Sequence, residues 1–371
     1  MGKLFGKRIY RLHKWSGLLA GIVIFILGVS GSFLVFHEEF EAYEHRHLWT
    51  VTNDQPVDID KAYRSIIEQY QNWEMRLQRF SGNPQETLIF SLRRPEQRLT
   101  VFVHPSNGKI LKVLDSNKTI VTWVLTLHYS LHASLTGEII VLIAGLAFLT
   151  SIITGIIVYR KAFADILLFR IKFRQKHKRS FASSLHRYIG VWALLLNIVI
   201  IVSGLLISYD IVSNAIKSSG TKAAAATTPR IHFSIDSSLN ALRQRYPDFQ
   251  PSYMRFPTAE GLPLRITGKV EGQAFYWSRF YNSATVDAVT GKMPALKLNM
   301  EADGKTKLAS ISRAIHFVEF GDLPVKILIC LIGLSAPVLS ITGFLLWYWK
   351  KKKPPVNTPS ISRMELLRSK V

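Results

Sequence analysis

With one cysteine, Cys330, in 371 residues, the chain can form no intramolecular disulfide, no cysteine-based zinc cluster and no covalent haem attachment through C-x-x-C-H. It carries no Gly-rich dinucleotide fingerprint, P-loop, nucleophile elbow or H-E-x-x-H motif, which argues against direct use of NAD(P)H or ATP. Acidic residues are also scarce, 25 against 47 Lys and Arg, for a net charge of +22. Redox or metal chemistry therefore falls to the 11 histidines, and any electrons must come from another carrier.

What the chain has in quantity is apolar sequence: 48% of residues are hydrophobic and the mean hydropathy is +0.16. Four stretches contain no charged residue, Ser16–Phe36, Ile139–Tyr159, Tyr188–Tyr209 and Ile327–Trp349. Each has the roughly 20 residues needed to cross a bilayer, where only a helix satisfies its own backbone. The first is read as a retained span, since its apolar run is too long for a signal peptide and no small-residue cleavage site follows. Residues 1–15 carry five Lys/Arg and no acid, residues 160–187 nine and one, and residues 350–371 seven and one. An even number of spans puts these three segments on one side, and the positive-inside bias makes that side cytoplasmic. Topology and lipid headgroups account for the basic runs, so a nucleic-acid partner is not expected.

The halves of the chain answer each other. Leu12-His13-Lys14-Trp15 matches Leu185-His186-Arg187-Tyr188, and a Ser-Gly follows each histidine by 17 residues, Ser30-Gly31 and Ser203-Gly204. The turn-like Asn107-Gly108-Lys109 matches Thr290-Gly291-Lys292. His128, Gly145 and Thr154-Gly155 match His316, Gly333 and Thr342-Gly343 at a constant offset of 188. Offsets that grow smoothly, from 173 through 183 to 188, indicate an internal duplication with insertions. Each unit reads as helix, extracytoplasmic module, helix. In the modules, 58–73 and 235–246 have amphipathic helical periodicity, while 99–103 and 264–267 alternate as strands do. Residues 218–229, rich in Ala, Ser and Thr, read as a linker.

The expected fold class is thus a membrane α-helical protein, a four-transmembrane-helix bundle from an internal duplication, with two small α+β extracytoplasmic modules. The cytoplasmic N-terminus (1–15) leads to the first span (16–36), module 1 (37–138) and the second span (139–159). A basic loop (160–187), the third span (188–209), module 2 (210–326), the fourth span (327–349) and a basic tail (350–371) follow.

Of the histidines, the repeat singles out His13 and His186 at the cytoplasmic ends of spans, and His128 and His316 just before spans. Two opposed neutral imidazoles on facing helices are the ligand set of a b-type haem, so the expectation is one pair per leaflet, His13 with His186 and His128 with His316. His132, one turn from His128, is an alternative ligand, although Phe320 stands at the matching position. A Ser-Gly or Thr-Gly in each span is expected to leave room for a flat macrocycle at the level of these pairs. His37, Glu41 and His45 recur every four residues and would share a helix face compatible with a divalent metal or with ferric-substrate contact, although a solvated amphipathic helix is the preferred reading. Asn197 and Pro337 read as an interhelical hydrogen bond and a kink. Module residues Trp73, Tyr276, Trp277, Tyr281, Arg93, Arg94, Arg98 and Arg279 would suit contacts to an anionic chelate, but ordinary surface and core packing explains them equally well, and they are not counted as site residues.

The order and spacing of Leu12-His13-Lys14-Trp15-x-Gly17, Leu127-His128-x-x-Leu131, Leu185-His186-Arg187-x-x-Gly190 and Ile315-His316-Phe317, with Thr154-Gly155 and Thr342-Gly343, resemble the PepSY-associated transmembrane helix proteins over nearly the whole chain. These include bacterial inner-membrane ferric-siderophore reductases, and the modules around Gly108 and Gly291 resemble PepSY units. The resemblance implies a di-haem b protein of the bacterial inner membrane, with both termini cytoplasmic and ligands His13, His128, His186 and His316. It would take electrons from a cytoplasmic or membrane donor and reduce a ferric siderophore or similar chelate outside, in the service of iron uptake. PepSY modules also occur in non-enzymatic sensors, assembly factors and protease regulators, which is the alternative expectation.

Overall fold

The computed structural model describes residues 3–218, 228–293 and 295–351. The first half runs through helices α1 (Lys3–Leu34), α2 (His37–Glu44), α3 (Arg46–Trp49) and α4 (Ile59–Gln69), then strands β1 (Glu74–Arg79), β2 (Leu88–Arg93), β3 (Arg98–Val103) and β4 (Ile110–Asp115). It closes with α5 (Ile120–Ser130) and α6 (Ser134–Tyr159), after which α7 (Phe163–Leu167) leads to the second half. That half comprises α8 (Lys178–Trp192), α9 (Leu194–Ser218), α10 (Ile235–Arg245), β5 (Phe249–Arg255), β6 (Leu264–Val270), β7 (Ser283–Val286), β8 (Leu296–Lys297), α11 (Gly304–His316) and α12 (Leu323–Lys351). The linker expected over 218–229 falls mostly, and the basic tail almost wholly, outside the described residues.

Among the described residues four helices are long and apolar enough to cross a membrane, α1, α6, α9 and α12. Large side chains such as Leu19, Ile22 and Leu195 stand exposed on them, as they would toward lipid. Helix α1 packs on both α6 and α12, and α9 packs on α6 and α12. The close crossing of α1 and α12 depends on a glycine, because a methyl group at Gly28 would lie 2.4 Å from Cδ of Pro337. Asn197 of α9 donates from Nδ2 to Ser335 Oγ of α12 at 2.8 Å, with both side chains buried.

The third span departs from the expected 188–209. Its N-terminal part belongs to α8, the helix breaks at Ala193, and α9 continues to Ser218. The Ala193 amide still bonds the Ile189 carbonyl at 3.0 Å, and the Asn197 amide bonds Ala193 at 2.9 Å, so the rod continues across the break. The charged residues Asp210 and Lys217 mark where apolar sequence ends, but not where the helix does.

Both globular segments share one sheet of eight strands in the order β4-β3-β2-β1-β5-β6-β7-β8. The halves join where β1 pairs antiparallel with β5, Arg76 opposite Arg255 and Leu77 opposite Met254. Neither inner edge is left as an open template for another chain. Strand alternation puts Met75, Leu77, Phe90, Val101, Met254 and Ile266 on one face, buried under Ile66 and Ile67 of α4 and Leu239 and Leu242 of α10. The two helices cap each other. Asp60 Oδ1 accepts from the Ile235 amide at 2.7 Å, and Asp236 Oδ2 accepts from the Asp60 amide at 2.9 Å. Gly108 and Gly291 take φ of +70° and +67° in the turns before the last strands, a region where a side chain would be strained.

Candidate functional site

Four histidines meet in two pairs at opposite ends of the bundle. On the side away from the sheet, His13 of α1 faces His186 of α8, ring centres 6.2 Å apart. On the sheet side, His128 near the end of α5 faces His316 at the end of α11 at 6.3 Å. An imidazole nitrogen binds a metal at about 2.0 Å with its ring centre about 1 Å behind, so two rings sharing one iron stand roughly 6 Å apart.

Each ring is tethered through Nδ1 to the same kind of partner. His13 Nδ1 donates to the Ser151 carbonyl at 2.9 Å, beside Thr154 Oγ1 at 3.4 Å. His186 Nδ1 lies 2.9 Å from Thr342 Oγ1, His128 Nδ1 3.0 Å from Ser30 Oγ and His316 Nδ1 3.2 Å from Ser203 Oγ. All four hydroxyls donate their own proton to the carbonyl four residues back, Ile26, Thr150, Val199 and Val338, at 2.7 to 2.8 Å. Each hydroxyl therefore turns a lone pair toward Nδ1, which places the imidazole proton on Nδ1 and leaves Nε2 as a free acceptor. That tautomer is the one a metal requires. Burial, with His316 opposite, pushes the His128 imidazole down to about 4, and burial lowers His316 as well. The sheet-side pair is neutral at ordinary pH.

The glycines after these hydroxyls seat the rings. A methyl group at Gly31 would lie 2.9 Å from His128 Cε1, at Gly204 2.8 Å from His316 Cε1, at Gly155 3.3 Å from His13 Cε1 and at Gly343 3.5 Å from His186 Cε1. The same glycines also line the space beside the rings, Gly155 and Gly343 at one pair and Gly31 and Gly204 at the other, as expected of small residues at these levels. Each pair holds and admits one imidazole of a neighbouring helix.

A cavity opens at each pair. The one beside His13 and His186 has a volume of about 670 Å³ and is rimmed by Lys14, Arg179, Arg187 and Lys350. The one beside His128 and His316, about 330 Å³, is lined largely by apolar side chains, with Ser32, His37, Tyr129, Asn197 and Ser208 as polar exceptions and no Lys, Arg, Asp or Glu among the described lining residues. Both volumes fall within the range of cofactor sites. Ile24 and Phe148 line both cavities and form the wall between them.

Other expected site residues lie elsewhere. His132 is exposed on left-handed backbone (φ 56°) and its ring lies 5.0 Å from Trp123, so it lines neither cavity and is no substitute for His128. The helix after α1 ends at Glu44 with His45 as its C-cap, and the His45 amide still bonds the Glu41 carbonyl at 3.0 Å. Among the described residues no three His, Cys, Asp or Glu side chains gather as metal ligands. His37 instead bonds the Leu34 carbonyl at 2.9 Å. The sequence reading missed the carbonyls that hold Nδ1. Their signal was the residue three before each Ser or Thr: Leu27, Ser151, Ile200 and Leu339.

The family model for the PepSY-associated TM region matches residues 10–351, from just before His13 to the end of α12. The chain belongs to the PepSY-associated TM family. The match takes in all four histidines, their hydroxyl and glycine partners and both cavities, so this PepSY-associated TM protein carries the paired-imidazole arrangement within its family region. It is a multi-pass membrane protein. Comparison with curated proteins returns no match.

Proposed function

We propose that this protein carries electrons across the bacterial inner membrane through two b-type haems and reduces a ferric-siderophore-type chelate outside, serving iron uptake. The observation behind this reading is the geometry of the histidines: two facing pairs, 6.2 and 6.3 Å apart, each ring anchored by Nδ1 with Nε2 left free. His13 and His186 would hold one haem, and His128 and His316 the other. Haem supplies reversible one-electron exchange at iron, with a potential set by ligands, burial and hydrogen bonds.

The remaining roles belong to the chain itself. Thr154, Thr342, Ser30 and Ser203 keep each imidazole in the ligating tautomer and orientation. Lys14, Arg179, Arg187 and Lys350 line the same cavity and could pair with the carboxylates of a porphyrin. Ile24 and Phe148 exclude water between the two sites and keep them adjacent. The positive-inside bias puts the His13/His186 end at the cytoplasm, with the sheet outside. The order α4-β1-β4 in one half and α10-β5-β8 in the other fits two PepSY-like modules from a duplication.

The test is vectorial. Protein in proteoliposomes, with a reductant enclosed and a ferric chelate outside, should deliver ferrous iron to an external ferrous-specific dye. His13→Ala and His128→Ala should each cut the rate at least tenfold. Equal rates in wild type and both variants would contradict the proposal and favour a non-enzymatic sensor or assembly role.

A further inference from the structure

The sheet's second face, opposite its apolar core, carries an arrangement that strand packing does not explain. Strand register puts Arg98 opposite Arg93 and Arg93 opposite Glu74 in one row. In a neighbouring row Arg76 stands opposite Arg255, and Arg255 opposite Arg265. Five arginines thus sit astride the junction of β1 and β5, and like charges directly opposite each other destabilise a sheet. One acid answers them: Glu74 Oε1 accepts from Arg76 Nε at 2.8 Å and from Arg255 Nη2 at 3.0 Å. Burial, with Arg76 and Arg98 nearby, lowers the Arg93 guanidinium to about 10.

This face looks toward the bundle. Phe102 of β3 lies 6.1 Å from His45, just beyond α2. Arg76 Nη1 donates to Tyr253 OH at 3.3 Å, and Tyr253 packs on Phe280 at 5.2 Å. Phe280 in turn lies under the Arg313 guanidinium at 4.3 Å, one turn before His316 on α11. A short chain of contacts therefore joins the arginine rows to the sheet-side histidine pair.

We infer that the arginine rows at the β1–β5 junction are the docking site for a polyanionic ferric chelate, of the catecholate or polycarboxylate class rather than an uncharged hydroxamate. Arg93, Arg98, Arg255 and Arg265 hold the anionic oxygens, and Glu74 offsets part of their charge and competes with the ligand for Arg255. The ferric identity of the ligand rests on the electron-transfer reading above, whereas the preference for an anion rests on the arginines alone.

Calorimetric titration of the full-length protein in nanodiscs tests this with two redox-silent probes, a trianionic gallium tris-catecholate and an uncharged gallium tris-hydroxamate. The trianion should bind at least tenfold more tightly, and its affinity should fall with salt. Arg93→Gln and Arg255→Gln should each weaken it about tenfold, while Glu74→Gln, which removes the carboxylate paired with Arg76 and Arg255, should strengthen it. Equal affinity for both probes, or indifference to the arginine variants, would overturn the assignment, as would arginine-dependent retention of anionic lipid without chelate binding. Haem absorbance of the same samples separates the two readings. Chelate bound by a colourless protein leaves this site standing and removes electron transfer, and a two-haem protein blind to chelate charge does the reverse.

Discussion

At the scale of single residues the decisive atoms are hydroxyls and missing methyl groups. Thr342→Val removes the oxygen nearest His186 Nδ1 and leaves only the Leu339 carbonyl to orient the ring. Loss of such an outer partner typically costs 10- to 100-fold in metal affinity, so haem should transfer from this variant to an apo-globin at least tenfold faster than from wild type. Gly204→Leu drives a side chain into the position His316 occupies, since even a methyl group there would sit 2.8 Å from Cε1. This variant should keep one haem of two, with the pair on the far side intact. The histidines themselves were legible in the sequence because the repeat spacing picked them out. The job of each glycine was not, because it depends on which helix lies across from it.

At the scale of elements, two interfaces carry testable consequences. Gly28 lets α1 cross α12 against Pro337, and a Leu at that position forces the helices apart. Overpacking of this kind costs about 1 to 3 kcal/mol. Gly28→Leu should therefore lower the detergent-solubilised melting temperature and, if haem is the occupant, reduce haem retention at the His128/His316 cavity that Gly28 lines. The second interface is the reciprocal capping of α4 and α10. Burial, with Asp60 and Asp58 nearby, raises Asp236 from its usual range to about 6. A raised carboxyl pKa favours the protonated folded form, so this contribution to stability is full below pH 4 and is lost as pH rises through 6. Wild type should resist proteolysis of the sheet region better at pH 5 than at pH 7.5, and Asp236→Asn should flatten that difference. Helices α4 and α10 were readable from their periodicity. The one-residue break at Ala193 was not, since Gly190 falls a turn earlier and neither proline nor glycine stands at the break itself.

At the scale of the whole molecule, the four membrane helices were legible because a charge-free run of about 20 residues has few other uses. The fusion of two modules into one sheet was hidden. Each strand's alternation shows which residues share a face, but only the pairing of β1 with β5 shows that Arg76 and Arg255 stand together. The same non-local pairing sets a cationic sheet face above one histidine pair, while the other pair opens toward Lys14, Arg179, Arg187 and Lys350. The bundle thus has two sites of like geometry and unlike surroundings, a charged rim at one and an almost wholly apolar lining at the other. Electron transfer by this protein would require an iron porphyrin held between each pair of imidazoles. Its most direct test is haem stoichiometry with reduced-minus-oxidised absorption spectra on purified protein and single histidine variants. Two haems per chain, falling to one in His13→Ala and to one in His128→Ala, is the predicted result; a colourless protein from haem-sufficient cells, or full haem content in both variants, would contradict it.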